Sequence, residues 1–404
     1  MDSALGGGNR AGDHALQEGT GGVASIDGTC DDQFSAVRSE FEQCIESGDE
    51  LGASIVVDLD GKIAVDLWGG YRDETRTQAW QRDTITNVWS TTKTVTSLAA
   101  LMLVDRGELD VDAPVARYWP EFAAAGKQDV LVRHLMSHTS GVSGLDQPAV
   151  IEDAYDWEKS TARFAAQGPW WEPGTASGYH ALNFGHLIGE VLRRITGRSL
   201  KQFVAEEIAG PLSADFQIGA AEADWERIAH VVPPPPLPID FAALDPASIV
   251  VRTFTGPVVD ASFANTPEWR RADLGAVNGH GNARSVARML SVISRGGEVD
   301  GVRLLRPETV ELIFREQANG VDLVLGVPLR FGIGYGLPQL DTIPYIPDDK
   351  ICFWGGWGGS VIIMDVGRRM TISYMMNKMG AGIIGSDRAE RYVRAIYAAL
   401  DDRR

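Results

Sequence analysis

The sequence predicts an α/β (α+β) fold in which an antiparallel sheet flanked by helices is joined to a second, mainly helical domain. Three observations support this prediction. Each end of the chain carries two β-rich stretches separated by a turn, and each of these pairs lies next to a helical pattern. The region between the two ends is mostly helical and rich in loops. Because both ends supply the same kind of material, they most economically form one sheet domain.

The N-terminal part of this sheet domain follows a segment with little apolar content. Residues 1–30 are rich in Gly, Asp and Ala and hold no run long enough for a signal-peptide core, so we expect a flexible tail. Apolar residues at helical spacing then predict a helix over 34–45. The β-rich stretches 53–57 and 63–68 flank Asp60-Gly61, a dipeptide typical of hairpin turns.

The C-terminal part repeats this arrangement. The stretches 361–364 and 371–376 flank a turn at 366–369 and predict a second hairpin. Strongly periodic apolar residues over 389–400 then predict a closing helix. The predicted organisation is a tail over 1–30, a sheet domain over 31–85 and 320–404, and a mainly helical domain over 86–319.

Composition limits the classes of partner. With 44% hydrophobic and 23% charged residues, the chain has the composition of a soluble globular protein. Its formal net charge of -18 opposes binding to nucleic acid or to an anionic membrane. Three cysteines without a C-x-x-C spacing fit a reducing compartment, and no apolar run is long enough to span a bilayer. We expect a cytoplasmic protein without a cofactor, while the oligomeric state stays open.

A hydroxyl and an amine stand three residues apart in Ser90-Thr91-Thr92-Lys93, where an apolar, helix-forming run begins. On a helix, this spacing puts both side chains on one face. A serine is a poor nucleophile until a base takes its proton, and a lysine is such a base only when burial or nearby cations keep it neutral. The pattern predicts Ser90 as nucleophile and Lys93 as base. The alternative is a solvated pair in the first turn of a surface helix.

A second candidate site follows the Pro173-Gly174 turn, which delivers Tyr179 to the start of another apolar-periodic helix. A phenol acts as a base at neutral pH only when a nearby cation stabilises the phenolate, and Lys93 is a candidate for that cation. The alternative is a buried tyrosine that packs its ring. His180 follows directly and is a candidate for the wall of the site, with a structural hydrogen bond as its alternative.

The third candidate site is the glycine-dense segment over 353–360, which lies immediately before a predicted strand. Glycines let a backbone approach a substrate closely and direct N–H groups at it. A β-bulge or an edge bend explains one glycine but hardly four. We therefore count this segment, with Trp354, Gly356 and Trp357, among the candidates for binding a substrate.

Two other arrangements are disfavoured. His134 and His138 have the i, i+4 spacing of metal ligands on a helix, but Leu135 stands where a zinc-protease motif has its glutamate. No Gly-x-Ser-x-Gly nucleophile elbow occurs in the chain, which argues against an α/β-hydrolase. We therefore predict no metal site.

In their order along the chain, the three candidate sites resemble the serine β-lactamase and penicillin-binding-protein superfamily over about 33–400. Within it, the chain is most similar to the family VIII carboxylesterases, which look like class C β-lactamases. The resemblance implies a β-lactamase/transpeptidase-like fold with its site in the cleft between the two domains. It also implies an acyl-enzyme on Ser90, a proton relay of Lys93 and Tyr179, and an oxyanion held by the backbone N–H groups of Ser90 and Trp357.

Two departures from the β-lactamase pattern favour esters over lactams. Trp354-Gly355-Gly356 stands where the β-lactamases have Lys-Thr-Gly, and a tryptophan cannot pair with a substrate carboxylate. Ala181 stands where class C enzymes have an asparagine, and Asn183 comes two residues late. The resemblance thus implies a serine carboxylesterase for small neutral esters. The alternatives are an acyltransferase of the same fold, a β-lactamase or D-peptidase, and a penicillin-recognising sensor or silent binding domain.

Overall fold

A nine-stranded sheet forms the centre of the computed structural model, which describes residues 25–236 and 243–401. A three-stranded and a two-stranded sheet accompany it in this part of the chain. The strands, in chain order, are β1 (Ile26–Cys30), β2 (Gly52–Leu59), β3 (Lys62–Gly70), β4 (Thr86–Asn87), β5 (Gln217–Ile218), β6 (Gly279–Gly281), β7 (Glu298–Val299), β8 (Val302–Arg303), β9 (Ala318–Val321), β10 (Pro328–Phe331), β11 (Gly336–Leu337), β12 (Ile351–Gly355), β13 (Val361–Asp365) and β14 (Met370–Met376).

The large sheet has the order β1-β3-β2-β14-β13-β12-β11-β10-β9, and its neighbouring strands are antiparallel. The two predicted hairpins are confirmed as β2–β3 and β13–β14. They lie side by side, because β2 pairs with β14 from Ala53 opposite Met376 to Leu59 opposite Met370. Both ends of the chain therefore build one sheet, and the predicted fold class is confirmed.

Helices cover this sheet and fill the middle of the chain. The predicted helices near the two ends are present at 35–47 and 387–401. The α-helices, in chain order, are α1 (Ser35–Ser47), α2 (Thr92–Asp105), α3 (Val132–Met136), α4 (Ile151–Tyr155), α5 (Trp157–Ala166), α6 (Phe184–Thr196), α7 (Leu200–Phe203), α8 (Ile249–Phe254), α9 (Pro267–Arg271), α10 (Ala283–Ser294), α11 (Pro307–Leu312) and α12 (Asp387–Asp401).

The large sheet is covered on both faces. Helices α1 and α12 pack together on one face, where the ring of Tyr392 lies 6.0 Å from that of Phe41 and 5.1 Å from that of Tyr374. Helix α10 covers the other face, where Ser294 Oγ lies 2.8 Å from Thr371 Oγ1 of β14. Residues 371 and 374 lie three apart on β14, so their side chains point to opposite faces. The result is a three-layer arrangement of helices, sheet and helix.

The structure differs from the predicted domain boundaries in two places. Residues 26–30 of the predicted tail form β1, which pairs with β3 from Ile26 opposite Gly69 to Cys30 opposite Val65. The tail prediction is wrong for these residues, because backbone hydrogen bonds to β3 hold a strand with few apolar side chains. The rest of the predicted tail, 1–24, lies outside the described residues. Helix α10 belongs by sequence to the predicted helical domain but packs on the sheet.

Helix α2 links the sheet layer to the helical region. Its residues from Thr92 to Leu103 are all buried, and it contacts α6, α10 and β12. A helix that is buried all round lies inside a large core rather than on a surface. Within the described ranges, no helix is long and apolar enough to cross a lipid bilayer.

Candidate active site

Ser90 and Lys93 lie at the start of α2, as the sequence predicts. A 3-10 turn, Trp89–Thr91, runs directly into the helix, and Lys93 Nζ lies 3.0 Å from Ser90 Oγ. Ser90 is 8% exposed and Lys93 is 2% exposed. This burial argues against the alternative of a solvated pair on a surface helix.

Two backbone carbonyls hold the Lys93 amine. Nζ donates to Ala181 O at 2.7 Å and to Ala276 O at 3.0 Å. Burial lowers the pKa of Lys93 well below its usual range, so the neutral amine is favoured. A neutral amine has two hydrogens, which the two carbonyls use, and one lone pair, which is left for the hydroxyl of Ser90. The amine is therefore placed to accept the proton of Ser90.

The residue before Ser90 has an unusual backbone conformation. Trp89 has a φ of 50°, in the left-handed region that bulky side chains rarely adopt. Its ring packs between those of Trp269, at 5.6 Å, and Trp357, at 5.2 Å. Strained conformations of this kind persist only where the surrounding structure fixes them. The packed indole thus holds the turn that presents Ser90.

Tyr179 lies beside this pair. The Trp354 indole N–H donates to Tyr179 OH at 3.2 Å, and Lys93 Nζ lies 4.8 Å from the centre of the tyrosine ring. Burial raises the pKa of Tyr179 above its usual range, although hydrogen bonds with Ser90 and Trp354 act in the opposite direction. Both pKa directions favour neutral groups. The structure therefore does not favour the expectation that a charged Lys93 stabilises a resting phenolate.

The backbone around Tyr179 is held by acceptors from distant parts of the chain. Gly178 N–H donates to His138 O at 2.9 Å, and His180 N–H donates to His138 Nδ1 at 3.1 Å. Between them, Tyr179 N–H donates to Asp322 Oδ1 at 3.1 Å. Asp322 carries no signal in the sequence, because an isolated aspartate far from Tyr179 forms no motif. The same holds for this role of His138.

His180 is not on the wall of the cavity beside Ser90. It is fully buried, with Nε2 at 2.6 Å from Ser140 Oγ and Nδ1 at 2.7 Å from Gly178 O. Burial lowers the pKa of His180 to about 4. Because both ring nitrogens have partners inside the fold, the structure supports the alternative of a structural hydrogen bond and not the predicted contact with substrate.

The glycine-rich segment lies between β12 and β13 and approaches the turn that holds Ser90. A side chain at Gly356 would place its Cβ 2.3 Å from Ser360 Oγ and 2.5 Å from Val88 O, so only glycine fits. Ser360 Oγ donates to Val88 O at 2.9 Å and lies 3.1 Å from Thr91 Oγ1. Gly356 therefore allows its backbone to lie close to the backbone of Val88, and it does not itself line the cavity.

Trp357 is the residue of this segment that reaches the cavity. The N–H groups of Gly356, Gly358 and Gly359 each donate to a backbone carbonyl. Within the described part of the chain, the backbone N–H of Trp357 has no such acceptor. A free N–H beside the nucleophile is what an oxyanion site requires. Trp354 instead lies behind Tyr179, in a cluster with Phe331.

A cavity of about 290 Å³ opens onto Ser90 and Tyr179. Its polar lining residues include Thr253 and Thr255, and none of its described lining side chains is charged. A larger groove of about 670 Å³ beside the start of α12 contains neither Ser90 nor Tyr179. The apolar wall of the smaller cavity includes Trp89, Leu182, Val258, Val277, Trp357 and Ile383.

The two histidines with metal-like spacing are used elsewhere. His134 Nδ1 accepts the N–H of Leu131 at 3.2 Å, and His138 Nδ1 accepts that of His180. Among the described residues, no group of three or more His, Cys, Asp or Glu side chains is arranged to hold a metal ion.

Comparison with known proteins gives the family. The Beta-lactamase family model matches residues 37–395. The chain is 33% identical over 377 residues to "Esterase/beta-lactamase LipL" of Mycobacterium tuberculosis (strain ATCC 25618 / H37Rv). This alignment covers 90% of this chain and 85% of that protein. A crystal structure of a family VIII carboxylesterase is 38% identical, with a TM-score of 0.87 over 93% of this chain and 100% of that chain. A penicillin-binding protein homologue from Caulobacter crescentus is 37% identical, with the same TM-score and coverage. The chain therefore belongs to the β-lactamase family and has the fold of its esterase/β-lactamase-like serine hydrolases.

Proposed function

We propose that the protein is a serine carboxylesterase that hydrolyses small neutral esters through an acyl-enzyme on Ser90. One observation carries the choice of substrate: the cavity at Ser90 is mostly apolar, and its described lining has no cation for the carboxylate of a β-lactam. Its volume of about 290 Å³ is at the lower end of ligand pockets, which suits small molecules. The similarity to a family VIII carboxylesterase supports this choice, whereas the name of the LipL relative includes both esterase and β-lactamase.

In the proposed acylation step, Ser90 Oγ attacks the ester carbonyl and its proton passes to the neutral Lys93 amine. The electron pair of the C=O bond moves to oxygen, and the backbone N–H groups of Ser90 and Trp357 stabilise the resulting oxyanion. Each such donor is worth about 3 kcal/mol in the transition state. Support comes from the 3.0 Å distance between Lys93 Nζ and Ser90 Oγ and from the free N–H of Trp357.

When the tetrahedral intermediate collapses, the Tyr179 phenol gives its proton to the leaving alcohol. The Lys93 ammonium returns its proton to Tyr179, so the relay is neutral again once the acyl-enzyme has formed. Water then attacks the acyl carbonyl and loses its proton to the same relay, which finally reprotonates Ser90. The Trp354 N–H at 3.2 Å would stabilise the transient phenolate oxygen.

The decisive experiment measures turnover of p-nitrophenyl esters of increasing acyl length by the wild type, Ser90→Ala and Ser97→Ala. Ser97 is the matched control, since it lies on the same helix but donates to Gly334 O at 2.8 Å. We expect Ser90→Ala to lose at least about 10³-fold in kcat while Ser97→Ala keeps its activity. Normal turnover by Ser90→Ala would contradict the proposal. A stable adduct with a lactam or phosphonate probe, without ester turnover, would point to a sensor instead.

A second experiment tests the charge argument by placing a cation at the mouth of the cavity. Val258 lines the cavity and is 60% exposed, so Val258→Lys adds a charge without burying it. Val150 is 55% exposed and is not among the lining residues of the cavity, which makes Val150→Lys the matched control. We expect only Val258→Lys to raise kcat/KM for nitrocefin relative to a neutral ester, by about 3- to 10-fold. Wild-type turnover of nitrocefin equal to that of esters would refute the choice of substrate.

A further inference from the structure

We propose that Asp322 is a positioning residue that holds Tyr179 against Ser90 through the tyrosine's backbone. This inference rests on the proposed function, because it assigns a role within the Ser90, Lys93 and Tyr179 machinery. It adds a residue from the turn between β9 and β10, which lies 143 residues after Tyr179 in the sequence.

The Asp322 carboxylate is fully buried and is used as a backbone acceptor. Its Oδ1 accepts three N–H groups, from Tyr179 at 3.1 Å and from Val324 and Leu325 at 2.9 Å each. Within the described residues, Oδ2 has no hydrogen-bond partner. The two local bonds fix the carboxylate within its own turn, so the third transfers that fixed position to Tyr179.

A second contact closes the connection on the other side. Leu323 N–H donates to Ser177 O at 2.8 Å, so each of the two segments, the turn and the tyrosine loop, donates one hydrogen bond to the other. The ring of Tyr179 also packs in one buried cluster with Val324 and Phe331. The turn that holds Asp322 therefore contacts both the backbone and the ring of Tyr179.

Tyr179 needs such support because no regular element holds it. It lies in a loop, and α6 begins only at Phe184. A displacement of about 1 Å in a reacting group can cost about 10²-fold in rate. Burial, and to a smaller extent the Asp322 carboxylate, raises the pKa of Tyr179, which keeps the phenol protonated for the leaving alcohol.

The test compares Asp322→Asn and Asp322→Ala with the wild type. Asparagine keeps an oxygen acceptor in the same place, whereas alanine leaves the buried N–H of Tyr179 without a partner. We expect Asp322→Ala to lower kcat by about 10²-fold with KM within about threefold of the wild type. Asp322→Asn should restore kcat to within about threefold of the wild type. Asp341→Asn is the matched control, because Asp341 is exposed, and it should leave both constants unchanged.

The same substitutions in a Tyr179→Phe background separate positioning from general damage. If Asp322 acts through the tyrosine hydroxyl, Asp322→Ala lowers the residual rate of Tyr179→Phe by less than about threefold. An equal loss of about 10²-fold in both backgrounds, or no rescue by asparagine, would overturn the inference. If Asp322→Ala fails to fold, the comparison is made with Asp322→Asn alone, where a kcat loss above about tenfold would also overturn it. Full activity of Ser90→Ala would instead refute the proposed function.

Discussion

Two lysines are buried in the part of the chain that the structure describes, and they differ in one hydrogen-bond partner. Lys93 is 2% exposed and Lys127 is 0% exposed. The Lys93 amine lies near two carbonyl oxygens and the hydroxyl of Ser90. Among the described residues, the hydrogen-bond partners of the Lys127 amine are instead all carbonyls, namely the backbone oxygens of Ala124, Ala165 and Gln167.

The third partner decides what each lysine is suited for. Three carbonyl acceptors match the three donors of an ammonium, and burial lowers the pKa of Lys127 only to about 8. At neutral pH Lys127 therefore stays mostly charged and pins the loops around it. The pKa of Lys93 falls well below its usual range, and its third partner is a group with a proton to give. Burial lowers the pKa of both lysines, but only the Lys93 amine lies next to a hydroxyl that can give up a proton.

The largest expected effect tests the difference between Lys93 and Lys127 directly. We expect Lys93→Met to lower kcat by about 10²- to 10⁴-fold, because it removes the base while it keeps most of the buried volume. Lys127→Met should leave kcat within about threefold and lower the melting temperature, since three buried carbonyls lose their donor. Ester kinetics and thermal unfolding of both variants provide the check. A loss of kcat in Lys127→Met as large as that in Lys93→Met would contradict the distinction.

The next effect concerns two glycines, Gly356 near the Ser90 turn and Gly168 near Lys127. Gly356→Ala should lower kcat by about 10-fold or more, because its Cβ would lie 2.5 Å from Val88 O and displace the turn before Ser90. Gly168 follows a carbonyl partner of Lys127, and a Cβ there would lie 3.5 Å from Ala125 O, an ordinary contact. Gly168→Ala is thus the matched control. Unchanged kinetics in Gly356→Ala would refute the need for close approach.

A smaller effect tests Trp354, whose indole N–H donates to the hydroxyl of Tyr179. Trp354→Phe keeps an aromatic ring in the cluster but loses the N–H that donates to Tyr179 OH. We expect kcat to fall about 3- to 10-fold, as one hydrogen bond is lost. Trp119 is fully buried beside Phe122, on the Lys127 side, and Trp119→Phe should leave kcat unchanged. Equal kcat values for the wild type and Trp354→Phe would show that this hydrogen bond does not contribute to catalysis.

The smallest effect appears in stability, and it concerns Lys127. Its pKa is about 8 in the folded protein and about 10.4 when unfolded, so between these values the unfolded chain binds more protons. The free energy of unfolding contributed by this group therefore rises with pH across that window. Denaturant titrations at several pH values should show the wild type gaining on Lys127→Met from pH 8 upward. A constant or falling difference would contradict the lowered pKa.

The sequence predicts the parts of the fold that are specified locally. The β2–β3 hairpin follows from Asp60-Gly61, and α12 from its apolar period. Strand β1 escapes prediction because Ile26 is its one clearly strand-forming apolar residue, and the edge of β3 supplies its pairing. The period of α10 predicts a buried face but cannot tell which element covers it.

The same limit applies to the candidate site. Ser90 and Lys93 are found because their spacing is short and their chemistry is distinctive. Asp322 could not be found, because its partner is a backbone N–H, which every residue except proline has. Adjacency to Tyr179 makes His180 a candidate for the cavity wall, but its ring hydrogen-bonds to Ser140, which is the alternative of a structural hydrogen bond. Residue type identifies reacting groups, whereas the supports of those groups depend on tertiary contacts.

The pairing of β2 with β14 determines when the large sheet can form during protein synthesis. Ala53 meets Met376, so the middle of the large sheet cannot close until nearly the whole chain has left the ribosome. Contacts this distant in sequence slow folding, because a long loop must close before they form. Trp357 and Gly356 arrive with the same late segment. A translation product that ends before residue 356 therefore carries Ser90 and Lys93 without Gly356 and Trp357, and we expect truncation before β14 to give an inactive chain in which that edge of β2 is unpaired.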